Sequence, residues 1–317
     1  MTPEAAAAEP VAIDVGALVE IQGRVLWLAA NMVHVANKVR PNPSGIKVGG
    51  HHASSASMVT ILTELFFDFM REGDRISVKP HASPRPPRHP LPTRQPRPVL
   101  PAAPARPART AGVSEPHQGP GSGRLLNWIR GPGIGRPQLR GPCGPIRQAR
   151  FGAKPGTPRR FISVLGDAEL NEGSIWEAVA EPALAGLNNL IWIVDLNRQS
   201  LDRVVPGIRV RQLEDMFRAN GWRVIEAKYG RKLEDAFAAP GGNRLREAID
   251  DMPNERYQFL LRSGAETIAE ALGDAVPDID DAELKTLIQD LGGHDFQVLR
   301  RALQEADSAA GPAVVFA

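Results

Sequence analysis

Two short stretches carry residue types that can hold ions at the end of a strand. Gly166-Asp167-Ala168-Glu169-Leu170-Asn171-Glu172-Gly173 follows the apolar run RFISVL, and Asp195-Leu196-Asn197-Arg198-Gln199-Ser200 follows NLIWIV. In an open α/β sheet, ligands gather beyond the carboxyl ends of the strands. If the two runs are adjacent parallel strands, Asp167 and Asn197 come side by side at that edge. One carboxylate, one amide oxygen and a backbone carbonyl are hard oxygen ligands. A small cation such as Mg²⁺ commonly completes so sparse a set with phosphate oxygens. A helix opening near Glu172 would aim its N-terminal amides at the same spot. This edge could therefore hold a metal-bridged diphosphate. Alone, each residue also has a plainer role, Asp167 as a helix cap and Asn197 as a turn residue.

The elements that must position these residues are legible as alternating periods. Residues 17–40 place apolar side chains at helical spacing and stop at VRPNPSG. A glycine loop then leads through His51 and His52 to a second helix over 54–71, and a short strand over 75–78 runs into a turn with His81. Residues 160–165 and 189–196 read as buried strands, with a helix over 174–185 between them. A helix over 212–220 and a strand over 222–227 follow. From 232 the chain is mostly helical and polar, ending in the apolar run GPAVVFA. Continuous apolar strands alternating with helices predict an α/β fold, a parallel sheet flanked by helices.

One stretch does not belong to that pattern. Residues 85–150 hold 15 of the 29 prolines and 12 arginines, with no lysine and one acid, Glu115. The net charge of +2 therefore hides a strongly basic insert in an acidic chain. A disordered linker is one reading, and a nucleic-acid-binding arm is another. A third is translation out of frame, since GC-rich codons in the wrong register give Pro, Arg, Gly and Ala. Synonymous codons for VSEPHQGPG, read one base later, give YPSRTKDPG, and the same shift turns SGRLLNWIRGPG into QVDFSTGSVGLG. The out-of-frame reading is preferred, which divides the chain into 1–84, an interrupting segment 85–148, and 149–317. Cys143 and Trp128 fall inside that segment and are assigned no chemistry.

Composition excludes several classes. A single cysteine rules out a disulfide framework and fits a reducing, cytoplasmic compartment. No signal peptide is expected in MTPEAAAAEPVAIDVG, and no apolar run approaches the ~18 residues of a membrane span.

GDAELNEG, with Asn197 30 positions beyond Asp167, resembles the thiamine diphosphate motif of the transketolase superfamily. KVGGHHASSASMVTILTELFFDFM, GDRISVKPHASP, GSIWEAVAEPALAGL, LDRVVPGIRVRQLEDMFRANGW and GPAVVFA look like the bacterial homodimeric pyruvate dehydrogenase decarboxylating component and its transketolase-named relatives. The shifted peptide STGSVGLG looks like that family's glycine loop. The resemblance implies thiamine diphosphate and Mg²⁺ as cofactors. Asp167, the Asn197 side chain and the Gln199 carbonyl match the metal ligands, Ala168 and Glu169 lie along the diphosphate, and Leu201 matches an apolar contact. His51 and His81 match active-site histidines, and a histidine pair at an oxygen-lined site suits proton transfer better than metal binding. Ala168 replaces the motif's third glycine, and Asn171 stands where an acid is common.

The resemblance further implies pyruvate or another 2-keto acid as substrate, a lipoyl-bearing acyltransferase as partner, and a homodimer. In this family the cofactor acts as electron sink when the bond beside the keto carbon breaks. The glutamate that activates it lies on a following domain, and the chain ends at Ala317, so an inactive fragment is expected. Ketol transfer between sugar phosphates, and a non-catalytic scaffold with a nucleic-acid-binding arm, are the alternatives.

Overall fold

The computed structural model describes residues 13–39, 41, 52–79, 159–196, 199–200, 203–204, 210–273 and 280–317. The segment 85–148, and with it Cys143 and Trp128, lies outside these residues. The strands are β1 (Arg75–Val78), β2 (Phe161–Gly166), β3 (Leu190–Asp195), β4 (Gln199–Ser200), β5 (Arg203–Val204), β6 (Arg223–Glu226) and β7 (Ala313–Phe316). Five of them form one parallel sheet in the order β1-β2-β3-β7-β6, and β4 pairs with β5 as a small antiparallel ladder. β2, β3 and β7 are buried at every position, whereas edge strands β1 and β6 are not. Central parallel strands are covered on both faces, which is why their sequences are unbroken apolar runs.

Alternation along each strand sorts the core into two layers. Ile162, Val164, Ile191, Ile193, Ala313 and Val315 share one face. They pack against Met58, Ile61 and Leu65 and against Val298, Leu299, Ala302 and Leu303. Phe161, Leu165, Leu190, Trp192, Val194 and Phe316 share the other, with Ile175, Val179, Phe217 and Trp222. The first layer is supplied by helices preceding β1 and β7, the second by helices following β2 and β3. A third apolar cluster, from Tyr229 to Ile288, lies wholly in the helical stretch between β6 and the last helix.

The helices are α1 (Val15–His34), α2 (His52–Ala56), α3 (Val59–Glu64), α4 (Gly173–Val179), α5 (Val210–Ala219), α6 (Arg231–Ala238), α7 (Gly242–Asp250), α8 (Asn254–Leu260), α9 (Ala265–Leu272), α10 (Asp281–Ile288) and α11 (Phe296–Asp307). α1 opens where Asp14 caps the Ala17 amide at 3.2 Å. Two expected helices are broken. The one predicted over 54–71 divides at Ser57, whose hydroxyl donates to the Ser54 carbonyl at 3.3 Å and to Asp195 at 2.7 Å. Serine hydroxyls compete with the helical ladder in this way. The one predicted over 174–185 stops at Val179, because Pro182 cannot continue it and instead opens the short turn Pro182–Leu184.

Glu64, fully buried at the end of α3, gives the fold a pH dependence. Burial raises its pKa to about 7, and neighbouring Asp68 reinforces the rise while Arg300 opposes it. Its ordinary value is 4.5. Between those two values the unfolded chain has released this proton and the folded chain keeps it, so stability falls as pH rises. Glu64→Gln is expected to remove that slope. Urea unfolding should show the variant gaining about 2–3 kcal/mol over wild type between pH 4.5 and 7.5. Parallel curves for the two proteins would refute the assignment.

Candidate functional site

Gly166 of β2 and Asp195 of β3 are register partners, so the two acidic strand ends leave the sheet together, as their spacing predicts. Asn197, which would complete the pair with Asp167, lies outside the described residues, as do His51, His81 and Leu201. Gln199 opens β4, whose backbone pairs with Val204. Asp167, Ala168 and Glu169 form the first turn beyond β2. Asp167 Oδ1 accepts the Ala168 amide at 2.8 Å. This turn is a 3-10 turn, Asp167–Asn171, and α4 begins only at Gly173. The amides nearest the strand end therefore belong to the turn and not to the helix that the sequence suggested. Trp176 fastens the two by donating its ring N–H to the Leu170 carbonyl at 2.8 Å.

Glu169 turns inward. Burial raises its pKa to about 7, against the pull of the Gly166 amide and of Lys79. Its Oε2 is buried without a hydrogen-bond partner among the described residues.

Lys79, directly after β1, stands at this edge of the sheet and was passed over by sequence reasoning. Its side chain crosses the end of β2 at Gly166, where an added Cβ would lie 3.6 Å from the lysine Cδ. Its ammonium pairs with Asp195 Oδ2, and both side chains are only 5% exposed. Ser57 donates to the same oxygen. One lysine thus ties the carboxyl ends of β1, β2 and β3 and neutralises the carboxylate at β3. A signal existed: a lysine ending a strand of a covered sheet needs a counter-charge, and Asp195 ends a neighbouring one.

Beyond Asp195 and Leu196 lies a cavity of about 400 Å³, bounded by α1, α2, α8, the residues after β6 and the loop before α11. Asp195, Lys228 and His294 are its ionisable members beside the polar Gln22, Ser57, Gln258 and two tyrosines, and Leu26, Leu261, Leu291 and Ala317 supply apolar wall. His294 Nδ1 lies 3.3 Å from Thr60 Oγ1, which also accepts from Gln22 Nε2 at 2.9 Å. Burial depresses the His294 pKa, although Asp195 pulls it back. Lys228 is held by Glu226 at 3.0 Å and by Glu214 at 3.4 Å. Among the described residues no three His, Cys, Asp or Glu side chains are placed to hold a metal ion. No described helix is long and apolar enough to cross a membrane.

A family profile described as transketolase, thiamine diphosphate binding domain, matches residues 151–245. The pyruvate dehydrogenase E1 component of Mycolicibacterium smegmatis is 28% identical over 329 aligned positions, covering 92% of this chain and 33% of that protein. Its Mycobacterium tuberculosis counterpart is 28% identical with the same coverage. The Escherichia coli K12 protein of that name is 26% identical over 93% of this chain and 34% of its own length. The chain thus spans about a third of the length of the curated relatives it matches.

Proposed function

The chain belongs to the thiamine-diphosphate-dependent transketolase superfamily, and from that membership we propose that the carboxyl edge of its sheet holds the diphosphate of thiamine diphosphate in a pyruvate dehydrogenase E1-like component acting on pyruvate or a related 2-keto acid. The observation that carries this reading is the register of Gly166 with Asp195, which brings two acidic strand ends to one edge of the sheet. Mg²⁺ would be held by Asp167, the Asn197 side chain and the Gln199 carbonyl, all oxygen donors and too few by themselves, as suits a cation that keeps phosphate and water ligands. Glu169 Oε2, buried without a partner among the described residues, fits such a group, because a metal-bound water would supply a donor to it. Ala168 and Glu169 would be the residues beside the diphosphate, and Leu201 would supply an apolar contact to the cofactor. His51 and His81 serve proton transfer.

When bound, the cofactor supplies the electron sink for breaking the bond beside the keto carbon. This chain's contribution is charge and position. Asp167 fixes the cation, and Lys79 cancels the charge of Asp195, so the edge facing the diphosphate is less negative than its carboxylates suggest. A homodimer and a lipoyl-bearing acyltransferase partner complete the proposal. The relatives named above favour it over ketol transfer on sugar phosphates.

Strands β1 and β2 pair across the interrupting segment, which supports one diphosphate-binding domain made of 1–84 and 149–317. Sequencing the coding DNA across codons 80–152 tests that segment. A frame that restores STGSVGLG is expected, and an error-free in-frame Pro/Arg sequence would refute it. Because these residues match about a third of each relative, we propose that by themselves they bind the cofactor without turning pyruvate over. Titration calorimetry with thiamine diphosphate and Mg²⁺ is expected to show binding that Asp167→Asn weakens by about 10- to 100-fold. Equal affinity in the variant would remove Asp167 from the site. Ferricyanide reduction with pyruvate checks the absence of turnover.

A further inference from the structure

The cavity beside Asp195 holds a ring nitrogen that the diphosphate contacts do not use. Gln22 donates its amide N–H to Thr60 Oγ1, and Thr60 Oγ1 lies within reach of His294 Nδ1. An amide nitrogen only donates, so Gln22 takes one of the two lone pairs of the hydroxyl, whose single proton is able to point at the imidazole. Thr60 is fully buried, so water does not compete for that proton. With the Thr60 proton directed at Nδ1, a neutral ring carries its own proton on Nε2. Desolvation lowers the pKa of the ring, which favours its neutral form.

Other polar side chains of the lining already have partners. Asp195 is held by the Ser57 hydroxyl and by Lys79 behind it, the Tyr229 hydroxyl bonds Asp250, the Tyr257 hydroxyl bonds the Ile288 carbonyl, and Lys228 bonds Glu226. With Asp195 neutralised by Lys79, an anion can enter without facing an uncompensated carboxylate. We propose that His294 is a neutral Nε2–H donor to an acceptor oxygen, carboxylate or keto, of a small organic acid in this cavity. This deepens the 2-keto acid reading above and rests on it for the identity of that acid. His294 is a binding and positioning residue in this role, held in one tautomer by α1 through Gln22 and by α3 through Thr60.

The test uses the full chain labelled with ¹⁵N-histidine and long-range ¹H–¹⁵N correlation spectra, which distinguish the two tautomers. At neutral pH the His294 ring is expected to be protonated on Nε2 alone, and Thr60→Val is expected to give a mixture. A ring protonated on Nδ1, or on both nitrogens, overturns the proposal. Pyruvate is then added without thiamine diphosphate. The His294 Nε2 signal should shift saturably, and His294→Phe should weaken pyruvate binding about tenfold or more, read from backbone amides around the cavity. Thr60→Val, a near-isosteric change, should weaken it in the same direction and covers the case in which the histidine variant does not fold. A His294 signal indifferent to pyruvate and to acetate overturns the proposal. Cofactor titration of the same sample separates the two readings: cofactor binding with a silent His294 sinks only this inference, and a responsive His294 without cofactor binding sinks only the diphosphate assignment.

Discussion

Lys79→Met is expected to destabilise the chain by about 3–5 kcal/mol, because it leaves Asp195 as an uncompensated buried charge. The pair sits at the centre of the carboxyl edge, with 5% of either side chain exposed, so water cannot take over the solvation of the orphaned carboxylate. Ser57 still donates to it, but one hydroxyl does not replace an ammonium. The loss is a large fraction of the ~5–15 kcal/mol that holds an ordinary domain together. Removing both charges should be far milder. Lys79→Met combined with Asp195→Leu is expected to recover most of the loss, since a buried ion pair is often worth little over an apolar pair of similar volume. Urea unfolding of the two single variants and the double variant measures this as a cycle. A single-variant loss below about 1 kcal/mol would show that the pair is not buried in solution.

Gly292→Ala is expected to open the neck between the sheet and the helical insert α6–α10. A Cβ at this position would lie 2.1 Å from the Ala227 carbonyl oxygen, with the Ala227 carbon and the Tyr229 oxygen next in line. These are backbone atoms at the end of β6 and cannot rotate away. The same close approach lets the Gly292 amide donate to the Lys228 carbonyl at 3.0 Å, beside the bridge between Tyr229 and Leu291. Overpacking ordinarily costs about 1–3 kcal/mol, and a clash with immovable backbone should reach the top of that range or beyond it. The third apolar cluster is self-contained, so the loss should be local first. Hydrogen exchange is expected to accelerate at residues 227–229 and 291–294 while α6–α10 keep their internal protection. Uniform acceleration across the chain would mean that the insert and the sheet unfold as one unit. The cavity shares this neck through Tyr229, Leu291 and His294, so the variant should also lose the pyruvate response of His294.

The amino-acid sequence by itself determined the strands and the edge they present. RFISVL, NLIWIV and AVVF are short unbroken apolar runs that suit strands covered on both faces, and Gly166 and Asp195 close the first two at one level. The α/β class, the parallel pairing and the placing of Asp167 and Asp195 follow from that period and those stops. Local competition was harder to read. Ser57 interrupts the helix it sits in because its hydroxyl has a distant partner, Asp195, which no window of residues around Ser57 contains. The turn at Asp167–Asn171 displaced the start of α4 through a local contact, since Trp176 reaches back six residues to the Leu170 carbonyl and stabilises a turn in place of a helix start.

Only the tertiary structure decided which polar groups meet. Lys79 and Asp195 are 116 residues apart, and Gln22, Thr60 and His294 come from three separate elements. Hydrophobic period fixes which face of an element is covered, but it is indifferent to which lysine stands over which aspartate. The strand order settled that by placing β1, β2 and β3 side by side, so that the lysine after the first reaches the carboxylate ending the third. The desolvation of Glu169, Glu64 and His294 arises in the same way, from the layers that close over them, and burial is a property of the assembled layers and not of any one segment.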